Sequence, residues 1–102
     1  MDAQEYFEQK GRPELRKGTI VKHFKRELNT PEDEPNKYLY KIIDIATDCS
    51  NNDKKVVIYQ AMYGNCELYT RELDEFCSEV DKEKYPNIKQ KYRLEFVQYI
   101  YY

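Results

Sequence analysis

The sequence predicts a mainly β fold, a small barrel or roll of about five strands. Three segments carry this prediction, because β-branched and aromatic residues are dense in each and turn-forming residues lie between them. They are residues 38–46, residues 55–63, which end at Gly64-Asn65, and residues 92–99. A chain of 102 residues has room for one domain of this kind.

The remaining elements follow along the chain. Residues 1–17 form an N-terminal extension in which Asp2 caps a short helix that ends near Gly11 and Pro13. Residues 18–102 form the single β domain. Further strands are predicted over 19–24 and 67–71, and a short helix or helical turn over 73–80, where apolar residues recur at helical spacing. Residues 26–36 hold two prolines and four acids, which indicates an acidic loop.

The second strand changes its buried face partway along. Tyr40 and Ile42 share one parity, whereas Ile43 and Ile45 share the other. Since successive side chains of a strand point to opposite faces, we expect a β-bulge or a sharp coil of the strand between Ile42 and Ile43.

Composition excludes several classes of protein. The net charge of −2 does not steer the whole molecule towards phosphate backbones. No apolar run is long enough to cross a membrane and the N-terminus lacks a signal-peptide pattern, so we expect no membrane partner and a cytoplasmic location.

Cys49, Cys66 and Cys77 are an odd number without a CxxC pair, so free thiols are expected, with Cys66 the most accessible. Together with His23 they could form a zinc site, but we expect no metal and no cofactor.

Four segments resemble, in order and in most of their spacing, the successive motifs of the domain-of-unknown-function family 1653, over about residues 18–97. They are KHFK at 22–25, YKIIDIA at 40–46, VVIYQAMYG at 56–64 and LYTRELDEF at 68–76. The resemblance implies a bacterial or phage SH3-like β-roll and assigns no biochemical role. Three positions depart from the family pattern: Arg26 replaces a glycine, Tyr69 a tryptophan and Glu72 a proline.

We expect a non-enzymatic module that binds a protein, a peptide or a small anionic ligand through a face of tyrosines and arginine. An arginine within a strand is costly to bury unpaired, so Arg71 either forms an ion pair with a residue such as Asp44 or Asp74 or binds a carboxylate or phosphate. Tyr59 is equally suited to the core, as a large residue with a tethered hydroxyl. The candidate ligand-binding residues are His23, Tyr59, Gln60, Tyr63, Tyr69 and Arg71.

Two other functions compete with this one. The first is a small enzyme or accessory domain acting on a nucleotide or another phosphorylated metabolite, with Arg71 as the anion clamp and His23 as the acid or base. A structural histidine is the more frequent role, so no catalytic residue is assigned. The second is single-stranded nucleic-acid binding through the basic segment 84–93, whose tyrosines could stack on bases. Finally, the C-terminal tyrosines, Tyr99, Tyr101 and Tyr102, suggest a homodimer contact.

Overall fold

The computed structural model describes residues 1–99 and confirms a mainly β fold. Two short helices and one 3₁₀ turn accompany five strands. In chain order the elements are α1 (Ala3–Gln9), β1 (Thr19–His23), the 3₁₀ turn (Phe24–Glu27), β2 (Leu39–Asp48), β3 (Asn51–Ala61), β4 (Leu68–Glu72), α2 (Leu73–Phe76) and β5 (Leu94–Tyr99). All five predicted strands are present, whereas the predicted helix over 73–80 ends earlier, at Phe76.

The strands form one antiparallel sheet in the order β4-β3-β2-β1-β5. Strands β1 to β4 follow one another as a meander, and β5 returns to pair with the free side of β1. This order places β4 and β5 at the two edges and gives the small roll that the sequence predicts. In this order β2 and β3 lie between β4 and β1.

The predicted bulge in β2 is confirmed. Ile42 pairs with Tyr59, but Asp44 pairs with Ile58, so Ile43 is the extra residue of β2. Ile42 is buried, and after the bulge Ile45 packs against the same core. The bulge therefore keeps apolar side chains of both parities on one face.

The N-terminal extension packs into the main core. Asp2 caps α1 by accepting the backbone N–H of Glu5 at 2.9 Å. Phe7 is fully buried with its ring centroid 6.0 Å from that of Phe76. Arg12 is only 1% exposed and donates from Nη2 to the carbonyl of Leu94 at 2.7 Å. Residues of the extension thus contribute to the core that lies against the sheet.

The acidic loop is shorter than predicted because its first two residues belong to the 3₁₀ turn. Arg26 donates from Nη1 to the carbonyls of Pro35, at 2.9 Å, and Lys37, at 2.8 Å. This side chain therefore ties the two ends of the loop together, close to where β1 ends and β2 begins.

All three cysteines are free thiols, as predicted. Cys49 and Cys66 are exposed, whereas Cys77 is buried and its pKa is raised to about 11, mainly by burial. Among residues 1–99, no helix has the length and apolar character needed to cross a membrane.

Candidate functional site

The end of β1 is held by the only histidine of the chain. The Nδ1 atom of His23 accepts the backbone N–H of Lys25 at 3.1 Å and so caps the 3₁₀ turn. The imidazole lies on the buried ring of Phe24, with a centroid separation of 4.4 Å. The His-Phe-Lys motif therefore fixes the position and the rotation of the imidazole.

His23 is neutral at pH 7 in this setting. Burial, followed by the positive charges of Lys25, Arg71 and Arg93, lowers the pKa of His23 from 6.5 to about 4. Because Nδ1 accepts a hydrogen bond, the proton of the neutral ring lies on Nε2. His23 therefore provides a hydrogen-bond donor at Nε2 and its Nδ1 lone pair is already engaged.

Arg71 is the half-buried cation of β4. Its Nε donates to the hydroxyl of Tyr59 at 3.4 Å, and its Nη1 donates to Glu75 at 2.6 Å. Burial opposes the charge, but these hydrogen bonds and the Glu75 carboxylate raise the pKa of Arg71 overall. No hydrogen bond joins Nη2 to another residue of the described chain 1–99. The guanidinium is thus held in place and keeps donor capacity.

The two ion-pair partners that the sequence suggested for Arg71, Asp44 and Asp74, pair with other cations. Asp44 lies 3.4 Å from the Nζ of Lys17, and Asp74 lies 2.6 Å from the Nζ of Lys10. Glu75 takes their place because it stands four residues after Arg71, at the start of α2. Arg71 thus forms a structural ion pair with Glu75, while its Nη2 atom can still donate to a ligand.

Three tyrosines form a wall beside Arg71. The ring centroids of Tyr40 and Tyr59 are 5.3 Å apart, those of Tyr59 and Tyr69 are 5.8 Å apart, and those of Tyr40 and Tyr69 are 6.3 Å apart. Tyr40 and Tyr59 are buried, but Tyr69 is 40% exposed. The wall therefore has an inner part that belongs to the core and one accessible ring.

These groups enclose a cavity of about 230 Å³. Four of the six candidate residues line it, together with three that the sequence analysis did not select. The lining residues are His23, Lys25, Tyr38, Tyr40, Tyr59, Tyr69 and Arg71. The set contains two permanent cations and four tyrosines. No carboxylate lines the cavity, but Glu75 bonds to Arg71 at 2.6 Å and Glu67 accepts the hydroxyl of Tyr69 at 3.2 Å from outside the lining.

Gln60 and Tyr63 lie outside this cavity. The Nε2 atom of Gln60 donates to the carbonyl of Cys66 at 3.0 Å, on the opposite face of β3 from Tyr59. Tyr63 lies beyond the end of β3, where strand alternation no longer applies, and its hydroxyl is 2.9 Å from that of Tyr40. It supports the tyrosine wall instead of lining the cavity.

Two of the three lining residues that the sequence did not single out, Lys25 and Tyr40, have recognisable signals in the sequence. Lys25 belongs to the His-Phe-Lys segment, and Tyr40 shares its parity with the buried Ile42. Tyr38 has a φ of 66°, which is unusual for a bulky side chain, and its carbonyl accepts the backbone N–H of His23 at 2.9 Å. Tyr38 is distinguished only by this backbone conformation, which cannot be predicted from the sequence.

The basic residues of segment 84–93 lie in separate places. Lys84 borders a cavity with Leu28, and Lys91 borders another with Glu14. Arg93 lies close enough to His23 to lower its pKa. Among the described residues, the cavities that Lys84 and Lys91 border have no lining residue in common.

The C-terminal tyrosines are only partly described. Tyr99 donates its hydroxyl to the carbonyl of Glu14 at 2.7 Å, and the guanidinium carbon of Arg16 lies 3.7 Å from its ring centroid. Tyr99 thus packs on its own chain, whereas Tyr101 and Tyr102 lie outside the described residues. Within residues 1–99, no group of three histidine, cysteine or acidic side chains is placed to hold a metal ion.

Comparison with known proteins gives a family for the chain. No curated protein and no solved structure matches it. One family model, described as a protein of unknown function (DUF1653), matches residues 19–96, which include every residue that lines the tyrosine and arginine cavity. The chain therefore belongs to the DUF1653 family.

Proposed function

We propose that this protein is a non-enzymatic binding module whose cavity accepts one anionic group beside an aromatic or other apolar group. One observation carries the proposal: Arg71, Lys25 and His23 converge with tyrosine rings on a single cavity whose lining contains no carboxylate. An anion placed there meets the ammonium of Lys25 and the guanidinium of Arg71, whose charge is shared with Glu75, beside the ring of His23. Charge-assisted hydrogen bonds of this kind are among the strongest in proteins.

Arg71 provides the main contact in this proposal. Its guanidinium is oriented by Tyr59 and Glu75, so little further ordering is needed when a ligand binds. Nη2 is available for a carboxylate or phosphate oxygen, and the exposed ring of Tyr69 offers an aromatic face to the group attached to that anion.

The size of the cavity limits the ligand. Pockets for whole small molecules usually measure about 300–1,000 Å³. A volume of about 230 Å³ therefore suits a carboxylate or phosphate with a small ring or side chain attached. A small metabolite or one residue of a partner protein fits this description.

Catalysis on a phosphorylated metabolite has less support. A general base works best when its pKa is near the operating pH, whereas that of His23 is about 4. The imidazole also has no free lone pair, and no serine, cysteine or carboxylate lines the cavity to act as a nucleophile or a second base. The residues that line the cavity are therefore better suited to binding a ligand than to catalysing a reaction.

Single-stranded nucleic-acid binding through residues 84–93 also has less support. Such proteins need a continuous groove in which cations follow the backbone and aromatic rings stack on bases. Here Lys84 and Lys91 border different cavities that each contain an acidic residue.

The test uses phenyl phosphate, benzoate and inorganic phosphate as probes at constant ionic strength, with thermal stability as the readout. We expect phenyl phosphate to raise the stability, by about 2.7 kcal/mol at 100 times its dissociation constant. Arg71→Gln should abolish this effect. Lys54→Gln, which removes the same charge from an exposed pair with Glu72, should leave it unchanged.

Two results would refute the proposed function. Stabilisation that both variants lose equally would indicate a non-specific charge effect. The absence of any stabilisation by all three probes, up to millimolar concentration, would indicate that the cavity does not hold anions.

A further inference from the structure

Strand β4 is an edge of the sheet and also carries the cavity. Within residues 1–99 it pairs with β3 alone, so one side of its backbone has no strand neighbour. Exposed edges of this kind can accept an added strand from another chain. The question is which of its backbone groups and side chains face such a strand.

The hydrogen bonds of the ladder identify the outward backbone groups. The N–H of Ala61 donates to the carbonyl of Glu67 at 2.9 Å, and Tyr59 pairs with Tyr69 two residues further along. In an antiparallel ladder the residues that bond to the partner strand alternate with those that do not. The N–H and C=O groups of Leu68 and Thr70 therefore point to the free edge.

The side chains of β4 divide between the two faces of the sheet. Tyr69 and Arg71 lie on the face of the cavity. Leu68 is on the opposite face and is 63% exposed. A strand added at this edge would have one set of side chains beside Tyr69 and Arg71 and the other beside Leu68 and Thr70.

We propose that the β4 edge binds an extended acidic peptide segment of a partner protein as a sixth, antiparallel strand, with a carboxylate of that segment at Arg71. This inference rests on the proposed function, because the carboxylate occupies the anion cavity. In antiparallel register the segment has an acidic residue opposite Arg71, any β-forming residue opposite Thr70, and apolar residues opposite Tyr69 and Leu68. Residues directly opposite each other share a face, which fixes this order.

The outward backbone groups favour a peptide over a nucleic acid. Thr70 presents one donor and one acceptor, and a peptide residue opposite it satisfies both. A phosphodiester backbone has no donors, so it would leave the carbonyl of Thr70 unpaired. The edge and the cavity together therefore match a peptide with one negative side chain.

The test uses a blocked peptide, acetyl-Ser-Asp-Thr-Phe-Leu-Ser-amide, and the full protein labelled with ¹⁵N. We expect binding to shift the amide signals of Leu68 and Thr70 together with the Arg71 Nε signal. Methylating the backbone nitrogen of the peptide threonine removes the bond to Thr70 and should weaken binding at least about tenfold. Methylating the phenylalanine nitrogen, which points away from β4, is the matched control and should have a much smaller effect.

The outcomes separate this inference from the proposed function. Equal effects of the two methylated peptides, or no shift at Leu68 and Thr70, would overturn strand addition. If phenyl phosphate still binds through Arg71 in that case, the anion cavity stands. Shifts of the same amides with an oligothymidylate, or with rising protein concentration alone, would assign the edge to a nucleic acid or to a second copy and would also overturn the inference.

Discussion

The neutral state of His23 predicts a specific dependence of stability on pH. The substitution is His23→Asn, because an asparagine side chain can still accept the Lys25 N–H as a cap but does not titrate. The pKa of His23 is about 4 in the folded protein, against 6.5 for the free side chain. Between pH 4 and pH 6.5 the unfolded state therefore binds more protons than the folded state. Stability from this group is therefore complete above pH 6.5 and is lost as the pH falls towards 4.

The magnitude follows from the size of the pKa change. A lowering from 6.5 to about 4 corresponds to about 3 kcal/mol for a fully enclosed ring. Because the His23 ring is only partly buried, solvent screening reduces this to about 1–2 kcal/mol. Between pH 8 and pH 5 we therefore expect the free energy of unfolding to fall by about 1 kcal/mol more in the wild-type protein than in His23→Asn.

Urea denaturation at each pH measures this difference, and ¹H NMR measures the titration directly. His23 is the only histidine, so its ring signals need no further assignment. Glu27, whose pKa is lowered from 4.5 mainly by hydrogen bonds from the backbone of Lys89 and Gln90, contributes only at lower pH. A ring midpoint near 6.5, or parallel pH profiles for the two proteins, would refute this account of His23.

Three further predictions concern stability and reactivity. Phe7→Ala should lower the free energy of unfolding by about 3–5 kcal/mol, since Phe7 is fully buried; a loss below about 1 kcal/mol in urea denaturation would show that α1 is not part of the core. Tyr40→Phe should cost about 1 kcal/mol in the same assay, through loss of a hydroxyl hydrogen bond, and an unchanged midpoint would contradict that bond. In native protein a thiol reagent should modify Cys49 and Cys66 quickly and Cys77 only on unfolding, so three fast thiols would be inconsistent with the fold.

Much of the fold could be predicted from local sequence signals. The density of β-branched and aromatic residues between turn-forming residues located the strands, and the parity change between Ile42 and Ile43 located the bulge. The docking of α1 could not be predicted, because Phe7 looks the same in a mobile helix and in a packed one. Its burial depends on Phe76, which is distant in the sequence.

Local sequence signals also predicted part of the candidate site. Alternation puts Tyr59 and Tyr63 on one face of β3 but does not decide whether Tyr69 and Arg71 lie on the same side. The structure pairs Tyr59 with Tyr69 and brings both to the cavity with Arg71. Gln60 points to the other face and Tyr63 follows the end of β3, so neither lines this cavity, and a binding role for them stays a prediction. Lys25 and Tyr38 enter the site through the turns that follow β1 and precede β2, whose path is set by tertiary contacts such as those of Arg26.

Anion binding in the cavity of Arg71 and the tyrosines can be tested directly. The most direct measurement is a ¹H–¹⁵N NMR titration with phenyl phosphate at constant ionic strength. We expect saturable shifts of the Arg71 Nε signal and of the backbone amides of Lys25 and Tyr69. Shifts confined to other basic residues, such as Lys10 and Lys54, or linear shifts without saturation, would contradict it.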